Sequence, residues 1–390
     1  MSEVFRLFRF LPLVAGLILV LAFLLRCRIG WVSRGVWCAF LSAALLMFEG
    51  FAGLGGSLFR PELPEKLIWL WSVAYLGSLV LAVLAVVTFL WRSRWKVWVL
   101  PVVAYGIAAI GLWNALKVPA VTEITLEHEN LPQELDGYRI VQISDLHACA
   151  AARGWRTRAI VEKANALDPD LVCLTGDIAD GSPSDRLVDA MPLKELRAKN
   201  GIFAVSGNHE AFYDFAEWKK VYAAWGIRLL ENDCVFPRRS LALAGVNDDA
   251  LAKRGFAAPD MSAAFSSATN GPFRVLLQHR PDLALENFAK HDLDLQLSGH
   301  THGGFMPGLW HLTAECNRGF LRGNYSLGHG HLVVSSGCGP WPAFPFRYFT
   351  PAEIVFIRLE TKRDVRRHSS LSGCRKVMLL CAETSIDAVL

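Results

Sequence analysis

The chain has 390 residues, of which 53% are hydrophobic and 19% charged, with a formal net charge of +4. That charge is too small and too dispersed for a nucleic-acid-binding face. The nine cysteines, an odd number without a C-x-x-C pair, supply neither a disulfide framework nor a zinc knot and read as small packing residues.

The apolar excess lies in the first third. Stretches at about 7–25, 31–54, 67–91 and 97–116 each approach the ~20 residues that cross a bilayer as a helix. Four such stretches argue against a cleaved leader, and no small-x-small site follows the first. Arg26, directly before Cys27, occupies a position where a lipidation signal needs a small residue. Glu49, the one acid in these stretches, reads as interfacial. The first and third linkers carry Arg26, Arg28, Arg34, Arg92, Arg94 and Lys96, against Arg6, Arg9, Arg60, Lys66 and Lys117 on the other side. By the positive-inside rule this narrow margin puts those linkers in the cytoplasm. The expectation is a multi-pass inner (cell) membrane protein with its large domain on the outer, periplasmic or extracellular, face.

From about residue 121 the composition becomes that of a globular protein. The expected organisation is a membrane region of four helices over 1–120, one globular domain over 121–360 and a polar tail over 361–390. No repeat or low-complexity tract interrupts it.

Within the globular part, short apolar runs alternate with amphipathic stretches. "YRIVQISDLH" (138–147), "DLVCLTGDIAD" (170–180), "IFAVSGNHE" (202–210), "FRVLLQHRPD" (273–282) and "LDLQLSGHTHGG" (293–304) read as strands with polar ends. Helices are expected at about 155–167, through Trp218 and Tyr222, and at 283–290. Strands near 121–126, 240–246, 331–335 and 353–359 are expected to add antiparallel members to an α/β or mixed sheet. Asp145 and His147, Asp177, Asn208 and His209, His279, and His300 and His302 fall at the C-terminal ends of five strands, where open α/β sheets place their sites. One strand ending in Asp or His is ordinary turn chemistry; five in succession indicate a metal site. His329 and His331 of "GHGH" sit in a hairpin pattern and read as structural.

These five blocks, "SDLH", "TGDIAD", "GNHE", "QHRPD" and "SGHTHGG", resemble the signature motifs of the calcineurin-like metallophosphoesterases, in the family's order. The resemblance covers about 121–360 and is nearest to the bacterial membrane-anchored phosphodiesterase branch. It implies a four-layer αββα sandwich around two divalent metal ions. Asp145, His147 and His302 would hold one ion, Asn208, His279 and His300 the other, and Asp177 would bridge them. The mixed imidazole, carboxylate and amide set suits Mn²⁺, iron or Zn²⁺. The implied activity is hydrolysis of a phosphodiester or pyrophosphate bond by a metal-bridging hydroxide. His209 would assist the leaving oxygen, with Asp180 and Glu210 as supporting carboxylates. Arg347, closing "SSGCGPWPAFPFR", would contact substrate phosphate or make a surface ion pair. A membrane location favours a lipid-linked substrate, such as a UDP-diacylglucosamine type. Two alternatives stand beside this: a membrane sensor or pseudoenzyme that retains the fold, and a nuclease of the same fold.

Overall fold

The computed structural model describes residues 31, 62–87, 96–268, 272–341 and 345–362. The expected span at 7–25, that at 31–54 apart from Trp31, the linker cations apart from Lys66, Lys96 and Lys117, and the tail beyond 362 lie outside the described residues.

Two helices come first, α1 (Glu65–Val87) and α2 (Lys96–Leu116). Their segments Glu65–Ala85 and Trp98–Leu116 are long and apolar enough to cross a membrane, by length and composition. The following elements are β1 (Ala120–His128), β2 (Arg139–Ile143), α3 (Gly154–Ala166), β3 (Leu171–Thr175), α4 (Pro183–Ala190), β4 (Ile202–Val205), α5 (Asn208–Phe212), α6 (Phe215–Ala224) and β5 (Ile227–Leu229). After them come β6 (Asp233–Arg238), β7 (Leu241–Gly245), α7 (Asp249–Ala252), α8 (Met261–Ala264), β8 (Phe273–Leu277), α9 (Ala284–His291) and β9 (Leu295–Ser298). The described chain closes with α10 (Leu309–Cys316), β10 (Gly323–Leu327), β11 (Gly330–Val334) and β12 (Glu353–Thr361).

The strands form two six-stranded sheets, in the orders β1-β12-β2-β3-β4-β5 and β10-β11-β9-β8-β7-β6. Runs such as "LVCLT" are apolar without alternation because their strands are buried on both faces, as parallel strands covered by crossover helices must be. Ile140, Leu171, Cys173 and Val205 face Leu243, Val275, Leu277 and Leu297 between the sheets. On the outer face of the first sheet, Val141, Ile143, Val172 and Leu174 pack under Ile160, Val161 and Ala164 of α3 and Trp218 and Tyr222 of α6. On the outer face of the second, Ala242, Ala244 and Leu276 pack with Ala264 and Phe265. The result is the expected αββα sandwich.

Of the four strands expected to add antiparallel members, β7, β11 and β12 each have one antiparallel neighbour, in β6, β10 and β2, and β1 has none among the described residues. β1 runs parallel to β12, from Ala120 beside Glu353 to His128 beside Thr361. β7 is parallel to β8, and β11 to β9. The cause for β1 is topological: it joins the sheet edge beyond the last strand of the domain instead of beside its sequence neighbour β2, and it is β12 that meets β2 antiparallel. β5, β6 and β10 are short or largely exposed and carry no clear apolar pattern.

The helical pair is docked on the sandwich. Ile68, Leu76, Leu112 and Leu116 form one apolar cluster with Ala150, Ala151 and Phe346. Trp69 Nε1 donates to the Ala151 carbonyl at 2.8 Å, Tyr348 OH to the Ile107 carbonyl at 2.7 Å, and the Arg347 amide to the Gly111 carbonyl at 3.1 Å. The buried Arg156 guanidinium collects the carbonyls of Ala115, Leu116 and Lys117, which satisfies the C-terminal end of α2 with a cation.

Candidate metal centre

The site lies where β2, β3 and β4 of one sheet and β8 and β9 of the other end side by side. Just below it, Gln142 Nε2 donates to Thr175 Oγ1 at 3.0 Å and to the Ser298 carbonyl at 2.9 Å, which ties the two sheets together under the site. Each strand then breaks into a sharp turn. Asp145 (φ 48°), His147 (φ 45°), Asp177 (φ 54°), His300 (φ 69°) and His302 (φ 48°) all adopt left-handed backbone, which costs about 1–3 kcal/mol at a non-glycine residue. Five such residues in one cleft mark a place where the surrounding fold imposes geometry for a purpose other than stability. Two glycines make the close approaches possible: a Cβ at Gly299 would collide with Ser144 Oγ and the Asp145 carboxylate, and one at Gly207 with the Asp177 carboxylate.

Seven side chains converge there. His147 Nε2 and His302 Nε2 stand 3.0 Å apart, with Asp145 Oδ1 3.5 Å from His302 Nε2. His279 Nε2 and His300 Nδ1 stand 3.2 Å apart. Asp177 Oδ2 lies between these pairs, 3.3 Å from His279 Nε2 and 3.9 Å from His147 Nε2. Asn208 is at the second pair, where its Oδ1 accepts from Arg280 at 3.2 Å. Asp145, His147 and His302 form one group with ligand spacing, Asp177, His279 and His300 another; His147, Asp177 and His209 form a third.

Proton bookkeeping tests whether these residues fit a cation. His147 Nδ1 contacts the Asp180 carboxylate at 3.0 and 3.1 Å, and His279 Nδ1 donates to the Thr175 carbonyl at 2.8 Å. With Nδ1 so engaged, the Nε2 of each ring is the nitrogen left for a metal, aimed into the cleft. Burial, with neighbouring positive charge, holds His300 and His302 well below the usual histidine range, so neither carries a second proton at neutral pH. Burial, with the charge of Asp177 close by, pushes the Asp145 carboxyl upward. Converging imidazole nitrogens and a buried carboxylate that resists ionising are groups that a divalent cation takes as ligands, so the donors fit one.

His209 stands apart from the facing pairs. Its Nδ1 contacts Asp180, the same carboxylate that orients His147, and its Nε2 is 3.9 Å from Asp177 Oδ2. Burial opposes its charge, but Asp177 and Asp180 outweigh that and push it up to about 9. Glu210 accepts from the amides of Asp177, Ile178 and Gly207 and thereby holds the β3 and β4 turns together.

Arg347 is 1% exposed. Its guanidinium donates to the carbonyls of His302, Gly337, Gly339 and Thr350 and lies 3.2 Å from His302 Nδ1. That position braces the turn carrying His302, beneath the cleft and away from any surface ion pair. His329 approaches Asp292 and Asp294, and His331 Nδ1 meets Asn324 Oδ1 across the β10–β11 hairpin. Sequence reasoning passed over Arg280 and Asp248. Arg280 Nε donates to Asp248 Oδ2 at 2.7 Å, and its other nitrogens reach His300 Nε2 and Asn208 Oδ1. The signal was its place in "QHRPD", directly after a ligand-type histidine; Asp248 had no motif to single it out.

Residues 138–304 match the family model described as calcineurin-like phosphoesterase. An uncharacterized metallophosphoesterase of Campylobacter jejuni is 33% identical over 256 residues, covering 64% of this chain and 66% of its own. The uncharacterized metallophosphoesterase YkuE of Bacillus subtilis is 30% identical over 252 residues, covering 62% of this chain and 85% of its own. A transmembrane protein with metallophosphoesterase domain from Danio rerio is 32% identical over 268 residues, covering 65% of this chain and 60% of its own. The match thus spans 66% of the Campylobacter relative's length and 60% of the Danio relative's. With that likeness, the αββα fold and the convergent donors in place, the chain belongs to the calcineurin-like phosphoesterase family.

Proposed function

We propose that the chain is a membrane-held phosphoesterase that binds two divalent ions and hydrolyses a phosphodiester or pyrophosphate bond. The observation that carries this reading is the pair of facing imidazole contacts on either side of Asp177, His147 with His302 and His279 with His300. Asp145, His147 and His302 would hold one ion, Asn208, His279 and His300 the other, with Asp177 shared; Mn²⁺, iron and Zn²⁺ all suit this donor set. Bound there, divalent ions polarise phosphoryl oxygens and lower the pKa of water.

The remaining work belongs to the chain. Asp180 orients His147 and His209 together, and the raised pKa of His209 keeps it protonated at neutral pH, as suits a donor to the leaving oxygen. Arg347 fixes the turn of His302. Retention of all seven donors argues for an enzyme over a sensor that has lost its chemistry, and the small net charge argues against a nuclease.

The domain plan is a membrane region over 1–120, the catalytic domain over 121–360 and a polar tail over 361–390. In this reading the protein is multi-pass in the inner (cell) membrane, with the catalytic domain on the outer face. A substrate embedded in that membrane, a lipid-linked phosphodiester or a pyrophosphate of the UDP-diacylglucosamine type, fits a catalytic domain held at the bilayer. The experiment is turnover of bis-p-nitrophenyl phosphate against p-nitrophenyl phosphate by the full chain in detergent with Mn²⁺. Diester turnover that a chelator abolishes is expected; bound metal with no turnover of either ester would favour the sensor.

A further inference from the structure

Beside the metal centre lies a cavity of 440 Å³ that the proposed chemistry does not use. Its walls are Leu76 and Leu79 of α1, Phe305, Met306 and Leu309 from the segment after the H-x-H motif, and Trp341. The volume falls in the ~300–1,000 Å³ range of small-molecule sites, but such sites usually carry a few placed polar groups. Here the lining side chains are all apolar.

Three features narrow the occupant. One wall is α1, whose apolar run is long enough to cross a membrane, so the cavity is built on the element that would stand in lipid. Another wall is Phe305, whose ring stacks on His302 at 4.7 Å between centroids and approaches Trp341 at 5.6 Å. One aromatic ring therefore separates the cavity from a candidate metal ligand. From the wall residue Leu309 outward, α10 carries Leu309 and Leu312, 42% and 58% exposed, which extends the apolar surface. A nucleobase or a peptide would bring donors and acceptors that find no partner in such a lining, at a cost of about 1–3 kcal/mol for each buried group. An alkyl chain brings none.

We infer that this cavity receives an acyl chain of a membrane lipid whose phosphoester sits at the metal centre. The inference rests on the phosphoesterase reading and deepens it: the chain enters between α1 and the 305–309 segment, and Phe305 is the partition between its tail and the reacting end. α1 would then be a wall of the substrate site as well as an anchor.

The test uses the full chain, loaded with Mn²⁺ in nanodiscs, and a lysophosphatidylglycerol whose acyl chain ends in a photoreactive diazirine. A monoacylglycerol with the same chain and no phosphate is the control. Crosslinks mapped by mass spectrometry should concentrate on residues 76–79 and 305–309, about tenfold over the exposed α2 positions Val102 and Trp113, and Leu79→Trp should remove that excess. Labelling spread evenly along the exposed faces of α1 and α2 would overturn the cavity assignment. Equal labelling by the phosphate-free chain would overturn its link to the metal centre. Turnover of a water-soluble diester without cavity labelling would sink the cavity and leave the phosphoesterase; cavity labelling with neither bound metal nor turnover would sink the phosphoesterase reading itself.

Discussion

His147 and His302 come from opposite sheets and from positions 155 residues apart, yet their Nε2 atoms face each other at 3.0 Å. His147 turns its Nδ1 side to Asp180, and burial with neighbouring positive charge holds His302 well below the usual histidine range, which leaves both Nε2 atoms turned to the place one cation would take. Removing one partner should remove one ion. His302→Ala is expected to lower metal content by one per chain and diester turnover by more than about 100-fold, beyond the 10–100-fold typical of outer-shell changes. Elemental analysis together with circular dichroism would check that the metal is lost while the fold remains.

Asp180 touches no candidate ion but orients two rings, His147 through Nδ1 and His209 through Nδ1. Asp180→Asn keeps the size and loses the charge that favours the Nδ1–H tautomer. Turnover should fall about 10–100-fold. The drop should exceed that of His209→Asn, because Asp180 acts through both histidines; equal losses in the two variants would show that only His209 depends on it.

Metal uptake should release a proton from one histidine in particular. Burial disfavours charge on His279, but Asp177 and its hydrogen bond more than compensate and push it up to about 10. Without a cation His279 is thus protonated at neutral pH, and its Nε2 can bind metal only after losing that proton. His300 and His302, held well below the usual range, have none to lose. Adding Mn²⁺ to chelated, metal-free protein near pH 7.5 should release about one proton per chain from His279, and affinity should rise with pH until about 10. A pH-indicator titration reads the release directly.

Gly299 is required by contact as well as by turn shape, since a methyl group there would strike Ser144 and the Asp145 carboxylate. Gly299→Ala should cost about 1–3 kcal/mol of stability through overpacking and displace Asp145. A lower unfolding temperature together with reduced metal retention is the expected pair of results. Normal metal content in a destabilised variant would mean that Asp145 had moved without loss of binding.

Arg156 joins the helical pair to the sandwich by donating to three carbonyls at the end of α2. Arg156→Met keeps much of the apolar stem and strands those carbonyls, at a cost of about 1.5–3 kcal/mol for the lost charged hydrogen bonds. Limited proteolysis near residues 117–120 should accelerate, with metal content unchanged.

The site was legible because its residues follow a repeated local pattern: an apolar strand, then Asp, Asn or His at the sheet's end. The opposed sheets were legible as a resemblance and not as a pairing plan, since nothing local in 120–128 says that its partner is 353–361. The left-handed backbone at Asp145, His147, Asp177, His300 and His302 was hidden because the surrounding fold, not local propensity, imposes it. Arg347 looked like a substrate contact from its place at the end of a glycine-rich run, and its burial among main-chain carbonyls depends on loops that meet only in three dimensions. Asp248, far from every motif, could be found only through the side chain of Arg280.

The most direct measurement is the metal content of the full chain, purified in detergent after growth with Mn²⁺ and read by inductively coupled plasma mass spectrometry. Two divalent transition-metal ions per chain are expected, falling to one in His302→Ala. A folded chain with no such metal, and none taken up on adding Mn²⁺, iron or Zn²⁺, would contradict the metal assignment.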